Sequence, residues 1–298
     1  MKLSFKALAL FPVLFSLFFV FNNYYGNYYD SSSDGSEIKE IYNNSIPQDV
    51  KELMRIYRLE NGNVFGAKTL RVPILMYHYV EYVKDKGDTT RISLNIPPYI
   101  FEEQIKTLIS ANYTFITNEE LADAISGKSK LPQNPILLTF DDGYDDFYTD
   151  VFPILKKYNI KATNYVISGF LNRNNHLTDS ETREIIDSKL VEIGAHTVHH
   201  SWLKGKDIKY SSQEVLDSKK ELEEKFKIKV VSFAYPFGAF DKDAIEAVKK
   251  SGFKSAVSTV PGADQSLENE FFLLRLRPGA RTGDSLLTWL KQKEFAAF

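Results

Sequence analysis

Two adjacent carboxylates, Asp141 and Asp142, stand between an apolar run, Pro135-Ile136-Leu137-Leu138, and Gly143. The order reads as a buried strand that ends by presenting two acids and then turns at glycine. Neighbouring residues at a strand end point in different directions, so one carboxylate can hold a metal ion while the other faces the water that ion activates. An isolated Asp-Asp-Gly is more often an Asx turn closing a strand, because these are favoured turn residues. The catalytic reading therefore depends on the rest of the chain.

Of five histidines, four fall in two places. His78 follows the strand-like run from Val72 to Tyr77, and His196, His199 and His200 follow the run from Leu190 to Gly194. Tyr235-Pro236-Phe237-Gly238 stands in the same relation to the run from Val230 to Ala234. Parallel α/β folds collect their sites at the carboxyl ends of strands, so four clusters distant in sequence converge on one face. His196 and His200 are four residues apart, and one turn of helix would put both on one side. Alone that is a weak metal signal. With Asp142 it becomes two imidazoles and a carboxylate, a set that suits a divalent ion with open positions. Zinc fits such a set, and cobalt, nickel or manganese could bind it too. His199 lies a step off that face and reads as exposed or as a support for the ligands. Asp141 is then the candidate general base and His78 the candidate general acid, donating to a leaving nitrogen. A lone His at a strand end is more often structural, and only its place on the shared face raises it. Together these groups describe metal-assisted hydrolysis of an acyl bond.

The elements that must position them alternate from Lys68 onward. Strand-like runs end at Tyr77, Ile116, Phe140, Ile167, Gly194, Ala234, Ser258 and Leu276. Helical patterns fall at about 98–111, from Thr117, up to Tyr158, and at about 180–188, 212–226, 241–252 and 284–291. Thr117 with Glu120 has capping-box spacing, Pro153 should start or kink a helical segment, and Asp241 is a cap. Such alternation argues for a largely parallel sheet with helices outside it. Closed on itself it is a barrel, and left open it is a doubly wound sheet.

At 298 residues the chain suits two domains or one large α/β domain. A net charge of −2 without a long basic run gives no invitation to nucleic acid. Cysteine is absent, which rules out disulfides, thiolate ligands and a thioester-linked lipid. The 17 Tyr and 22 Phe suit carbohydrate stacking and an ordinary core equally. Trp202, two residues past His200, reads as an aromatic wall of the site or as a buried structural residue. The loop from Glu81 to Asn95 is charged and reads as solvated.

Lys2 and Lys6 precede an apolar run from Ala7 to Phe21, broken only by Pro12 and Ser16. Residues 1–22 are expected to be a signal peptide or an uncleaved membrane anchor, and either places the folded part outside the cytoplasm. Residues 23–67 are expected to be a flexible spacer with a short helix at about 49–59, and residues 68–298 the catalytic domain.

Thr139-Phe140-Asp141-Asp142-Gly143, His196-Thr197-Val198-His199-His200 and Phe233-Ala234-Tyr235-Pro236-Phe237-Gly238 resemble the successive motifs of the polysaccharide deacetylases of carbohydrate esterase family 4, the NodB-homology domain. The resemblance runs from about Val72 to Trp289. It implies a distorted (β/α)7 barrel, a divalent metal, commonly zinc, and removal of N-acetyl groups from a β-linked aminosugar polymer. Asp141 matches the family's base, and Asp142, His196 and His200 match its metal ligands. On the substrate side, Tyr235, Pro236 and Phe237 match the third motif, where a backbone N–H near Phe237 would stabilise the oxyanion.

The third motif usually begins with Arg, where this chain has Ala234, and no His follows His200. Both departures resemble the subgroup acting on poly-N-acetylglucosamine exopolysaccharide, in which the acid histidine comes from a Met-Tyr-His segment, here Met76-Tyr77-His78. In that reading Arg275 orients Asp141, although it could equally pair with a structural carboxylate. The expected partner is a polymer containing N-acetylglucosamine, either the exopolysaccharide or a peptidoglycan or chitin-type glycan. The protein would be a monomer held at the membrane or wall by its N-terminal segment. An O-acetyl xylan esterase and a non-catalytic glycan-binding protein are the alternatives, and the intact Asp141 argues against the second.

Overall fold

Seven short apolar runs become parallel strands because each is buried on both faces, as β2 (Ile74–Tyr77) is along its whole length. The computed structural model describes residues 69–292, with Glu52 alone before them. The expected leader at 1–22 and the spacer at 23–67, with its helix at 49–59, lie outside the described residues. Among the described residues no helix is long and apolar enough to cross a membrane.

The elements in chain order are β1 (Leu70–Arg71), β2, α1 (Thr89–Leu94), α2 (Pro98–Ser110), β3 (Thr114–Ile116), α3 (Asn118–Ile125), β4 (Pro135–Phe140), α4 (Phe152–Tyr158) and β5 (Ala162–Val166). There follow α5 (Asp179–Asp187), β6 (Val191–Ala195), α6 (Ile208–Phe226), β7 (Ser232–Ala234), α7 (Lys242–Lys250), β8 (Ser255–Pro261), β9 (Asp264–Gln265), β10 (Leu273–Arg275) and α8 (Gly283–Leu290). The parallel strands run in the order β2-β4-β5-β6-β7-β8-β10. A parallel bridge between Leu75 and Leu276 joins the last to the first. It is held by Met76 N donating to Leu276 O at 2.9 Å and Leu276 N donating to Ile74 O at 2.8 Å. The sheet is thus a nearly closed seven-strand barrel and not an open doubly wound one.

Two irregularities distort it. The register of β10 on β8 shifts between Leu273 and Arg275. One edge of β4 is shared by two strands, β3 against Pro135–Leu137 and β5 against Thr139–Phe140. Because β3 pairs with the start of β4, it leads α3 under the barrel at the end opposite the Asp pair. Ile116, Leu121 and Ile125 accordingly join Ile74, Leu137, Tyr165, Ala234, Val257 and Leu273 in one buried cluster. The barrel is filled from below, which leaves its carboxyl end for chemistry.

The capping box at Thr117 is present, with Thr117 Oγ1 accepting from Glu120 N and the Glu120 side chain from Thr117 N. A second one at Thr178 and Glu181 starts α5. Helix α6 begins at Ile208, earlier than its apolar pattern, because Asp207 caps it. A π-helical turn, Phe147–Val151, leads into α4, with Pro153 in the first turn of that helix. The 81–95 loop, expected to be solvated throughout, contains α1, a six-residue helix with no buried residue, capped by Asp88. With no apolar face it leaves no periodic trace.

Gly194 lies where β6 passes Tyr165 on β5, and a Cβ there would meet Tyr165 Cδ1 at 2.4 Å and Ser232 Oγ at 2.9 Å. Gly194→Ala is expected to destabilise the barrel by about 1–3 kcal/mol, the usual cost of overpacking. Urea unfolding checks this, and an unchanged midpoint would mean that Tyr165 moves freely.

Candidate active site

Asp141 and Asp142 follow β4 directly, and the ladder reaches the first of them, since Asp141 N donates to Tyr77 O at 3.0 Å. The backbone then turns left-handed, with φ 80° at Asp142 and 69° at Gly143. This turn separates the two acids. Asp141 points at Arg275, which reaches it with both terminal nitrogens at 2.7 Å, Nη1 to Oδ1 and Nη2 to Oδ2. Two of the three other guanidinium donors are placed as well, Nε on Ser258 O at 2.7 Å and a second Nη1 hydrogen on Thr139 Oγ1 at 3.1 Å. Burial pushes the Asp141 carboxyl up, but the charge and hydrogen bonds of Arg275 outweigh it and hold the pKa below the usual value.

Asp142 points instead at the two imidazoles. Its Oδ1 lies 3.2 Å from His196 Nε2 and 3.2 Å from His200 Nε2. The expected helical turn between these histidines is not what brings them together. Residues 196–200 form a loop in which Thr197 (φ 63°) and His200 (φ 55°) adopt left-handed backbone. For a β-branched residue such as Thr197 that conformation is strained, and strain of this kind persists where the surroundings fix it. Here Thr197 Oγ1 accepts from Ser201 N at 3.0 Å, and Glu214 on α6 secures the middle of the loop. Glu214 Oε2 accepts from Val198 N (3.2 Å) and His199 N (3.1 Å), and Oε1 meets His199 Nδ1 at 2.8 Å. His199 is thus bound back to the scaffold and turned away from the other two rings. Glu214→Ala is expected to weaken metal binding roughly 10–100-fold, the usual consequence of losing a group that orients ligands. Competition titration with a chromogenic chelator measures it, and unchanged affinity would show that the loop holds itself.

The donor set fits a cation. His196 Nδ1 stands 2.7 Å from Ala234 O, an acceptor only, so that nitrogen carries a proton and Nε2 is the atom left to face the cluster, bare whenever the ring is neutral. Asp142 Oδ1 is buried and accepts no hydrogen bond of good geometry. One atom each from Asp142, His196 and His200 lie within 4.8 Å of one another. Burial opposes charge on both sides, yet the imidazoles hold Asp142 well below its usual value, and Asp142, Asp141 and the Ala234 carbonyl hold His196 above its own. The cluster is arranged for a positive charge among its lone pairs.

His78 lies just after β2, half-buried. Burial lowers its pKa to about 4 against the pull of Asp142 and Asp141, so the ring is neutral at pH 7. Phe237 comes within 4.4 Å of His200, ring to ring, and is 52% exposed. Tyr235 and Pro236 do not share that surface. Both are buried, and the Tyr235 hydroxyl donates to Phe271 O at 2.9 Å, so Tyr235 offers no face to a substrate. Arg275 is equally enclosed and acts on Asp141 rather than on a ligand. Glu214 and Thr139 are the contributors that reading the sequence missed. The first looks like one more charge on α6, and its signal is the buried stripe Ser211, Val215, Ser218 and Leu222 beside it.

The polysaccharide deacetylase family model matches residues 128–256. YxkH of Bacillus subtilis (strain 168), which carries the polysaccharide deacetylase name, is 32% identical over 230 residues, covering 76% of this chain and 79% of that protein. The chain belongs to the polysaccharide deacetylase family. It is therefore a hydrolase, and the Asp-His-His cluster is the set that could bind the family's divalent metal. The poly-β-1,6-N-acetyl-D-glucosamine N-deacetylase of Staphylococcus aureus (strain MRSA252) is 31% identical to this deacetylase over 189 residues, 59% of this chain and 65% of that protein. Among solved structures, the Streptococcus pyogenes deacetylase PplD in complex with acetate superposes with a TM-score of 0.69 at 28% identity, covering 76% of this chain and all of PplD. His78 and Arg275 lie outside the segment matched by the family model.

Proposed function

We propose that this deacetylase removes N-acetyl groups from an extracellular polymer of N-acetylglucosamine, with poly-β-1,6-N-acetylglucosamine as the first candidate and peptidoglycan or chitin-type glycans next. The observation that carries the reading is the buried fork of Arg275 on Asp141, 2.7 Å at both nitrogens, in a chain whose third motif has Ala234 in place of Arg. It supplies from β10 the orienting charge that Ala234 cannot, the role expected of Arg275 from the resemblance to the exopolysaccharide subgroup. The relationship to the staphylococcal enzyme supports the same polymer.

Asp142, His196 and His200 would hold a divalent ion, zinc first, and His196 is already fixed by Ala234 for that role. Such an ion supplies a Lewis acid that polarises the acetyl carbonyl and lowers the pKa of water. Asp141, kept ionised by Arg275, accepts the proton of the attacking water. A backbone N–H near Phe237 would stabilise the developing oxyanion, as the third-motif resemblance implies. His78 delivers a proton to the leaving nitrogen; neutral in the free protein, it must become charged within the substrate complex to do so. The apolar run after Lys6 supports secretion or tethering at the outer face of the cytoplasmic membrane.

Acetate release from β-1,6-linked and chitin oligomers and from peptidoglycan, with zinc and with chelator, tests the proposal. Chelator-sensitive release that leaves a free amine, strongest on the β-1,6 oligomer, is the expected result. Full activity in metal-stripped protein would sink the metal mechanism, and a product carrying a new hydroxyl instead of an amine would make the protein an esterase.

A further inference from the structure

Single exposed aromatic residues are ordinary on a protein surface. Two in contact, continuous with the ligand cluster, are less so. Phe237 (52% exposed) and Trp202 (40% exposed) lie ring to ring at 5.8 Å, tilted by 35°. Phe237 in turn stands 4.4 Å from the ring of His200. The rings form a row that starts at a metal ligand and runs outward, with Trp202 one ring beyond Phe237. They come from loops after neighbouring strands, β6 for Trp202 and β7 for Phe237, so the row follows the barrel mouth.

Two further features mark the row as a surface for binding. Phe237 is held at φ 60°, ψ 6°, a left-handed conformation that costs a residue with a Cβ about 1–2 kcal/mol. Such strain at the rim of a site is characteristic of positions where the side chain is used. Trp202 donates its only polar hydrogen, on Nε1, to Lys204 O at 3.1 Å. Its exposed surface is therefore apolar ring, with no polar group seeking a partner. A flat apolar surface of this size suits the C–H face of a sugar ring, whose hydroxyls lie at its edge and stay in water.

We infer that Trp202 is a stacking residue for the sugar next to the one being deacetylated, so that the enzyme recognises at least two sugars of a chain. The inference rests on the glycan-deacetylase reading above and adds a subsite to it. Trp202 touches neither the ligand cluster nor Asp141, and it acts by binding the chain. Polymer and oligomer should bind better than the single sugar, and the difference should reside in Trp202.

The chain has two tryptophans, Trp202 and Trp289, and Trp289 lies on α8, a helix packed against α2, with Arg281 over its ring. In Trp289→Phe protein, Trp202 is the sole indole and reports on its own surroundings. Metal-free Trp289→Phe protein is titrated with a β-1,6-linked N-acetylglucosamine pentamer and with N-acetylglucosamine. A shift in Trp202 emission with the pentamer, absent with the single sugar at equal concentration, is the expected result. Trp202→Ala should weaken pentamer binding about tenfold by calorimetry, with KM raised more than kcat is lowered in the metal-loaded enzyme. If Trp289→Phe does not fold, the difference in quenching between wild type and Trp202→Phe gives the same readout. Pentamer binding with Trp202 emission and Trp202→Ala affinity both unchanged would overturn the inference, as would no binding of the pentamer. A Trp202 response without any acetate release from the metal-loaded protein would keep the subsite and remove the deacetylase reading.

Discussion

Asp141→Asn is expected to lower kcat by about 10²- to 10⁴-fold, the range for losing a positioned base, while leaving the affinity for zinc unchanged. The substitution preserves shape and removes the charge, and with it the ability to take a proton. Metal affinity is separable because the atoms that could hold the ion belong to Asp142, His196 and His200, and the turn after Asp141 sends the two side chains to different partners. Some stability should also be lost, since Arg275 would face an amide. Its bonds to Ser258 O and Thr139 Oγ1 remain and keep the guanidinium in place. Zinc stoichiometry and acetate release on one protein preparation decide the matter. Activity within threefold of wild type would remove Asp141 as the base, and loss of zinc together with activity would make it a ligand.

What could be read in the chain beforehand follows the range of the interactions concerned. Strands β2, β4, β5 and β6 were legible because each is a short apolar run followed within a residue or two by polar or glycine residues, and Asp141, Asp142, His196 and His200 stand at such ends. Closure was legible only through the family resemblance, which implied a (β/α)7 barrel; the residue pattern by itself left a barrel and a doubly wound sheet equally open. Closure depends on one bridge, Leu75 to Leu276, between runs two hundred residues apart, and nothing local distinguishes a closing strand from an edge strand. The two-residue ribbon of β1 with β9 is too short to leave an alternating pattern. The spacing of His196 and His200 suggested a helix, whereas the structure converges them through two left-handed residues, which no periodicity announces. Tyr235 was placed on the substrate side by its motif. The structure continues the β7 ladder through it, Tyr235 N donating to Val257 O at 3.3 Å, and so turns the ring into the core. Arg275 was left between two partners by the sequence, because a buried ion pair is a contact between distant residues and only the fold selects the carboxylate.

That pair makes Arg275→Met the second substitution with a large expected effect. Removing the guanidinium leaves Asp141 buried with no opposite charge, and breaking a buried pair from one side costs about 3–5 kcal/mol. For a domain of this size the melting temperature should fall by about 10 °C. The pH dependence tells a lost charge pair from a lost packing contact. In the native protein Arg275 outweighs burial and depresses the Asp141 pKa, so its contribution is present above the ordinary carboxylate range and is lost as pH falls through the depressed value. In Arg275→Met, burial is opposed only by the weaker pull of His78 and His196, and the pKa rises. The acid limb of kcat/KM should therefore move to higher pH, and the stability gap between variant and wild type should narrow below pH 5 as the stranded carboxyl takes a proton. A gap that stays constant with pH would assign the loss to packing. Arg275→Lys separates charge from geometry, since an ammonium keeps the sign but cannot span both carboxylate oxygens while also reaching Ser258 O. Restored stability with kcat still depressed would show that the fork aims Asp141 as well as charging it.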